Sequence, residues 1–83
     1  MLVHVRLAEP FWRAVGERRI AVELVDGARV GDLLDQLCAR YPALSRELEE
    51  AAPLIFVGEK EAEAGTILTE GSHVHLVWPI AGG

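Results

Sequence analysis

A single cysteine, Cys38, stands among 83 residues, so the chain can form neither an internal disulfide nor a multi-thiolate zinc site. Asparagine is absent, Gln36 is the sole glutamine, and Lys60 is the one lysine beside seven arginines. Such scarcity of thermolabile amides leans toward a heat-adapted protein. Positive charge is scarce too: eight basic against thirteen acidic residues leave a net charge of −5. A phosphate-backbone binder needs a basic stripe to displace counterions, so nucleic acid is not expected as a direct partner. The longest apolar runs are far short of a bilayer span, and the alternation that follows Met1 has no n-region or cleavage site. No membrane partner and a cytoplasmic location are therefore expected. A chain this short builds one domain around one core, which excludes most multi-domain enzymes.

What is present is pattern. Leu2 to Leu7 alternate, with Val3, Val5 and Leu7 on one side and Leu2, His4 and Arg6 on the other, the signature of a half-buried strand. Phe11 to Gly16 is bulky and apolar, and Arg19 to Val25 alternates again through Ile20, Val22 and Leu24; together these read as a hairpin with a long tip. After the Asp26-Gly27 turn, Val30, Leu33, Leu34, Leu37, Cys38 and Tyr41 fall on one stripe of a 3.6-residue helix. Pro42 ends that helix and can open a short second one carrying Leu44 and Leu48. Leu54 to Val57 has strand length and reads as a central strand, Gly58 begins a polar turn, and Ile67-Leu68 makes a very short strand. Ser72 to Trp78 then sets Val74, Leu76 and Trp78 opposite His73, His75 and Val77. The order implies an α+β domain, a mixed sheet packed against one main helix. Its expected core is Val3, Val5, Ile20, Val22, Leu33, Leu34, Leu37, Phe56, Val74 and Leu76.

Four stretches carry a family resemblance: the Phe11-Trp12 hairpin, VGDLLDQLCARYP from Val30 to Pro42, LIFVGE from Leu54 to Glu59, and EGSHVHLVWPIAGG at the end. On these the chain resembles a MoaD/ThiS-type ubiquitin-like sulfur carrier, closer to MoaD, the small subunit of molybdopterin synthase. The resemblance implies a β-grasp fold over residues 1–79 and an extended diglycine tail over 80–83. It also implies that Gly83 is the reacting residue: an E1-like activating enzyme adenylates its carboxylate with ATP, and a sulfur donor protein displaces AMP to leave a thiocarboxylate. The chain would itself bind no cofactor. In the MoaD role, sulfur would pass to a pterin precursor on a MoaE-type large subunit during molybdenum cofactor biosynthesis. The same tail would serve a carrier for thiamine thiazole or tRNA thiolation, or a protein modifier forming isopeptide bonds.

The chemistry of the tail fits that role. Four extended residues, Ile80, Ala81, Gly82 and Gly83, reach roughly 13 to 14 Å from the body, and the two glycines remove every Cβ that would obstruct a narrow channel. No acid, base or nucleophile constellation appears elsewhere, so the chain is expected to be a carrier and not an enzyme. His4, His73 and His75 share an outer face if their strands are neighbours, yet no carboxylate accompanies them at ligand spacing, and a surface role rather than a metal site is expected. Cys38 lies on the apolar helix stripe and reads as a small hydrophobe. Glu47, Glu49, Glu50, Glu59, Glu61 and Glu63 read either as a solvated face or as acidic steering toward basic partners. Phe11, Val77, Trp78 and Pro79 are candidate partner contacts beside the tail, although alternation alone would turn Trp78 inward.

Overall fold

The computed structural model describes residues 1–78. Strand β1 (Leu2–Leu7) buries Val3, Val5 and Leu7 and leaves His4 and Arg6 exposed, as the alternation requires. It pairs antiparallel with β2 (Arg19–Glu23), with Val3 opposite Val22 and Val5 opposite Ile20. Between them the expected open tip is instead a short helix, α1 (Phe11–Val15). Phe11, Ala14 and Val15 lie at i, i+3 and i+4 and all pack into the core, so local helix formation buries the tip's apolar side chains together. Gly16 closes this helix at φ 94°, donating its N–H to the Trp12 carbonyl at 2.7 Å.

The main helix, α2 (Val30–Arg40), starts where the Arg29 N–H donates to Asp32 Oδ2 at 2.8 Å. Val30, Leu33 and Leu37 are fully buried on it. Tyr41 separates it from α3 (Pro42–Glu50), whose first-turn proline sacrifices no intrahelical donor and whose Leu44 is fully buried. Then come β3 (Leu54–Val57), β4 (Lys60–Ala62) and β5 (His73–Val77). Gly58, at φ 63°, makes the turn between β3 and β4. The expected strand at Ile67-Leu68 is a single bridge from Ile67 to Arg29, although Leu68 is buried.

The five strands run in the order β2-β1-β5-β3-β4, with β5 parallel to β1 and antiparallel to β3. This mixed sheet, covered on one face by helices, is the β-grasp arrangement. It corrects one expectation: β5, the last strand in sequence, takes the centre, and β3 lies between it and the edge strand β4.

Three residues of the expected core are not buried in it. Ile20 and Leu34 are half-buried at its margin. Phe56 lies on the opposite face of the sheet, because Ile55 and Val57 take the two core-facing positions of β3 and period two then turns Phe56 outward beside His75. Phe11, Leu44 and Leu68 fill the helix-side core with them absent from the expected set, and each is at most 1% exposed.

Candidate functional site

The chain leaves the sheet from its centre. The central strand β5 is hydrogen-bonded on both sides almost to its end: the Ala8 N–H donates to the Leu76 carbonyl at 3.0 Å, and Val77 lies opposite Leu54 of β3. Leu76 is fully buried. The tail thus follows directly on a strand held between two neighbours, β1 and β3.

Three apolar side chains surround that exit. Val77 is half-buried on the outer face, and its cross-strand partner Leu54 is 38% exposed. Trp78 is also 38% exposed and leans toward the helices, its ring 6.1 Å from that of Phe11 at a 42° tilt. Alternation sends Trp78 to the helix side, where its ring is found, but strand pairing stops at Val77 and the ring is left partly uncovered instead of buried. Phe11 is a correction in the other sense. Expected as a partner contact, it is fully buried and acts from within, as the floor on which the Trp78 ring rests. Leu54 escaped the sequence reading, since only the register with Val77 reveals that it borders the exit. Pro79, Ile80, Ala81, Gly82 and Gly83 lie outside the described residues.

The outer face of the sheet carries the histidines. His4 on β1 and His73 on β5 are register partners, and their rings stack with centroids 5.1 Å apart and planes 21° from parallel. Stacked imidazoles present faces to each other, so their nitrogens do not converge on one point. Among the described residues no group of three His, Cys, Asp or Glu side chains is placed to hold a metal ion. His75, opposite Arg6, is held below the ordinary imidazole value of 6.5 by partial burial first and by the Arg6 guanidinium second. These side chains, with Arg19 and Gly58, border a surface depression of about 590 Å³.

The remaining candidates separate in space. Cys38 is free and half-buried on α2. The acidic residues split between α3, which carries Glu47, Glu49 and Glu50, and the β3–β4 hairpin region with Glu59, Glu61 and Glu63. No helix among the described residues is long and apolar enough to cross a membrane.

Comparison with known proteins bears on this site. The model of the ThiS family matches residues 5–83, a span that includes the terminal Gly82-Gly83. SAMP1 from Haloferax volcanii superimposes with a TM-score of 0.87 over 100% of both chains at 24% identity. A putative molybdopterin converting factor subunit 1 from Pyrococcus furiosus gives 0.82 over 96% of this chain and 99% of that one at 22% identity. The complex of subunits 1 and 2 of molybdopterin-converting factor from Helicobacter pylori gives 0.70 over 100% of both chains at 20% identity. These likenesses establish the shared fold. No curated protein matches by sequence.

Proposed function

This chain belongs to the ThiS family, and from that premise we propose that it is a sulfur carrier whose Gly83 carboxylate is converted to a thiocarboxylate. The carboxylate oxygen attacks the α-phosphorus of ATP on an activating enzyme, pyrophosphate leaves, and the acyl adenylate forms. A sulfide equivalent from a sulfur donor protein then adds to the activated carbonyl and AMP departs, which leaves sulfur on the carbonyl carbon of Gly83. ATP is bound by the partner, and this chain supplies the reacting group without a catalytic site of its own.

The single observation that carries the reading is the family match running through Gly82 and Gly83. The fold supports it: a fixed body, a tail rooted in the central strand, and an apolar rim of Leu54, Val77 and Trp78 where a receiving cleft would close. Exposed aromatic and aliphatic groups around a rooted tail are suited to anchor a partner. The acceptor we favour is a pterin precursor on a MoaE-type large subunit, in molybdenum cofactor biosynthesis. The Helicobacter pylori complex shows a similar chain seated on a second subunit.

The test is intact mass after incubation with an activating enzyme, ATP and a sulfur source. Exchange of one oxygen for sulfur is expected, and an unchanged mass under conditions that load a known carrier sinks the proposal. The likeness to SAMP1, a small archaeal modifier protein, favours a second reading in which Gly83 forms isopeptide bonds. Covalent ladders on target proteins would mark that outcome. Delivery of sulfur to thiazole or to tRNA would instead appear as transfer to those acceptors and none to the pterin.

A further inference from the structure

The sheet ends in β2 on one side and in β4 on the other, and only β4 is protected. β4 spans three residues, Lys60–Ala62, and a short edge carrying a lysine invites no further strand. β2 spans five, Arg19–Glu23, with neither lysine nor proline, and pairs with β1 in unbroken register. Hydrogen bonding fixes which of its residues look outward. The Met1 ammonium donates to the Leu24 carbonyl at 2.6 Å, the Leu24 N–H returns a bond to the Met1 carbonyl at 2.8 Å, and the Leu7 N–H donates to the Arg18 carbonyl at 2.8 Å. Ile20 and Val22 therefore serve β1, and the N–H and carbonyl groups of Arg19, Ala21 and Glu23 point to the open edge. The Glu23 carbonyl, which accepts from Gln36 Nε2 at 3.0 Å, agrees with that phase. Among the described residues none of these outward groups has a backbone partner.

We propose that β2 pairs with β2 of a second copy of this chain, antiparallel about a two-fold axis through Ala21, joining two five-stranded sheets into one. Charge order selects this occupant. Turned about Ala21, the strand sets Arg19 opposite Glu23 of the second copy and Ile20 opposite its Val22, so its charges complement themselves. The hydrogen-bonding phase agrees, because the residues that would exchange backbone bonds across the seam are the three that face outward. Arg19, Ala21 and Glu23 are all exposed, and among the described residues no ion pair engages Arg19. Within one copy Arg19 lies opposite Arg6, a like-charge pair that costs stability and that Glu23 of the second copy offsets. Glu23 itself lies 3.6 Å from the Met1 ammonium with its side chain 79% exposed, which leaves it open to a second cation. On the helix side Ile20, half-buried at the core margin, gains an apolar neighbour across the seam. Other registers are poorer. Centring on Ile20 sets Glu17 opposite Glu23, centring on Val22 leaves Arg19 opposite Val25, and in-register parallel pairing sets like charges together.

The seam stands clear of the site described above. β1 separates β2 from β5, so the end of β5 is two strands from the seam, about 10 Å. The two-fold axis runs the two copies of β5 antiparallel, and the two chains leave them toward opposite ends of the joined sheet. Pairing therefore neither uses nor blocks the Gly83 carboxylate, and it does not rest on the sulfur-carrier reading. The seam is short and each copy carries a net charge of −5, so association is weak and concentration-dependent.

The experiment is sedimentation equilibrium of the full chain at concentrations up to about 1 mM in about 0.15 M salt, with amide NMR spectra over the same range. Expected are a reversible monomer–dimer equilibrium without larger species and concentration-dependent shifts centred on Arg19 to Glu23. Arg19→Glu and Glu23→Arg should each weaken dimerisation at least about tenfold, since the two-fold axis makes every substitution count at two pairs. An equimolar mixture of those two variants should recover it, because each supplies the charge the other lacks, and so should the exchange Arg19→Glu/Glu23→Arg within one chain. Ala21→Pro removes an outward N–H that β1 does not use, and it should abolish dimerisation while the circular dichroism melt shows a folded chain. Should that variant fail to fold, the mixing experiment still decides. A chain that stays monomeric throughout, charge-reversed variants that dimerise as well as the wild type, a mixture that recovers nothing, or shifts centred on another part of the molecule would overturn the proposal.

Discussion

Replacing Phe11 by Ala separates two readings of the same residue. As a surface contact its removal would change stability by no more than about 0.5 kcal/mol. The structure instead buries the ring completely, packed under the helix side of the sheet and 6.1 Å from Trp78. Deleting a fully buried phenylalanine costs about 3 to 5 kcal/mol, the lost transfer energy of the ring plus the cavity it leaves. For a small domain of about 5 to 15 kcal/mol total stability, that is a large share. The milder Phe11→Leu removes three carbons, or about 2 kcal/mol at roughly 0.8 per carbon, and keeps the fold measurable. With a urea slope of about 1 kcal/mol per M, its midpoint should fall by about 2 M in a melt followed by far-ultraviolet circular dichroism. Trp78 should also become more solvent-accessible to a quencher, because its floor has shrunk. A Phe11→Ala melt that overlays the wild type would show that the ring is solvated and that α1 is not held by it.

The helix stripe allows an internal comparison: Leu37→Ala should cost about 2 to 5 kcal/mol, and Leu34→Ala clearly less, because Leu37 is fully buried and Leu34 only half-buried; equal midpoints in denaturant would contradict the burial. His75 is held below 6.5 in the folded chain, so between its folded value and 6.5 the unfolded chain binds more protons and stability falls as pH drops through that window. Melts at several pH values should show this slope reduced in His75→Gln, and an unchanged slope would place the titration elsewhere. At the tail, appending one residue after Gly83, deleting Gly83, or replacing Gly82 by Val should each abolish thiocarboxylate formation by intact mass while the circular dichroism melt stays put. An extended variant that acquires sulfur at the wild-type rate without trimming would show that the Gly83 carboxylate is not the reacting group.

The local periodicities were decided within short windows of chain. The alternation of Val3, Val5 and Leu7 makes β1 because only a strand puts all three on one side, and the stripe of Val30, Leu33 and Leu37 makes α2 for the same reason at period 3.6. The terminal Gly82-Gly83, read against those elements, pointed to the family that the comparison established. Position in the sheet was not available there. That β5 sits at the centre, parallel to β1, depends on residues roughly seventy apart in the chain, and period two says nothing about which neighbour a strand takes. The same non-locality decided Phe56, whose four-residue apolar run has no polar alternation to mark its faces until β5 and the helices choose one. Phe11 and Trp78 exchanged their expected environments because a turn of helix packed inward at one and strand pairing ended before the other. The depression bordered by Arg6, Arg19 and His75 exists only once three strands lie side by side, since cross-strand neighbours are set by register and not by sequence distance.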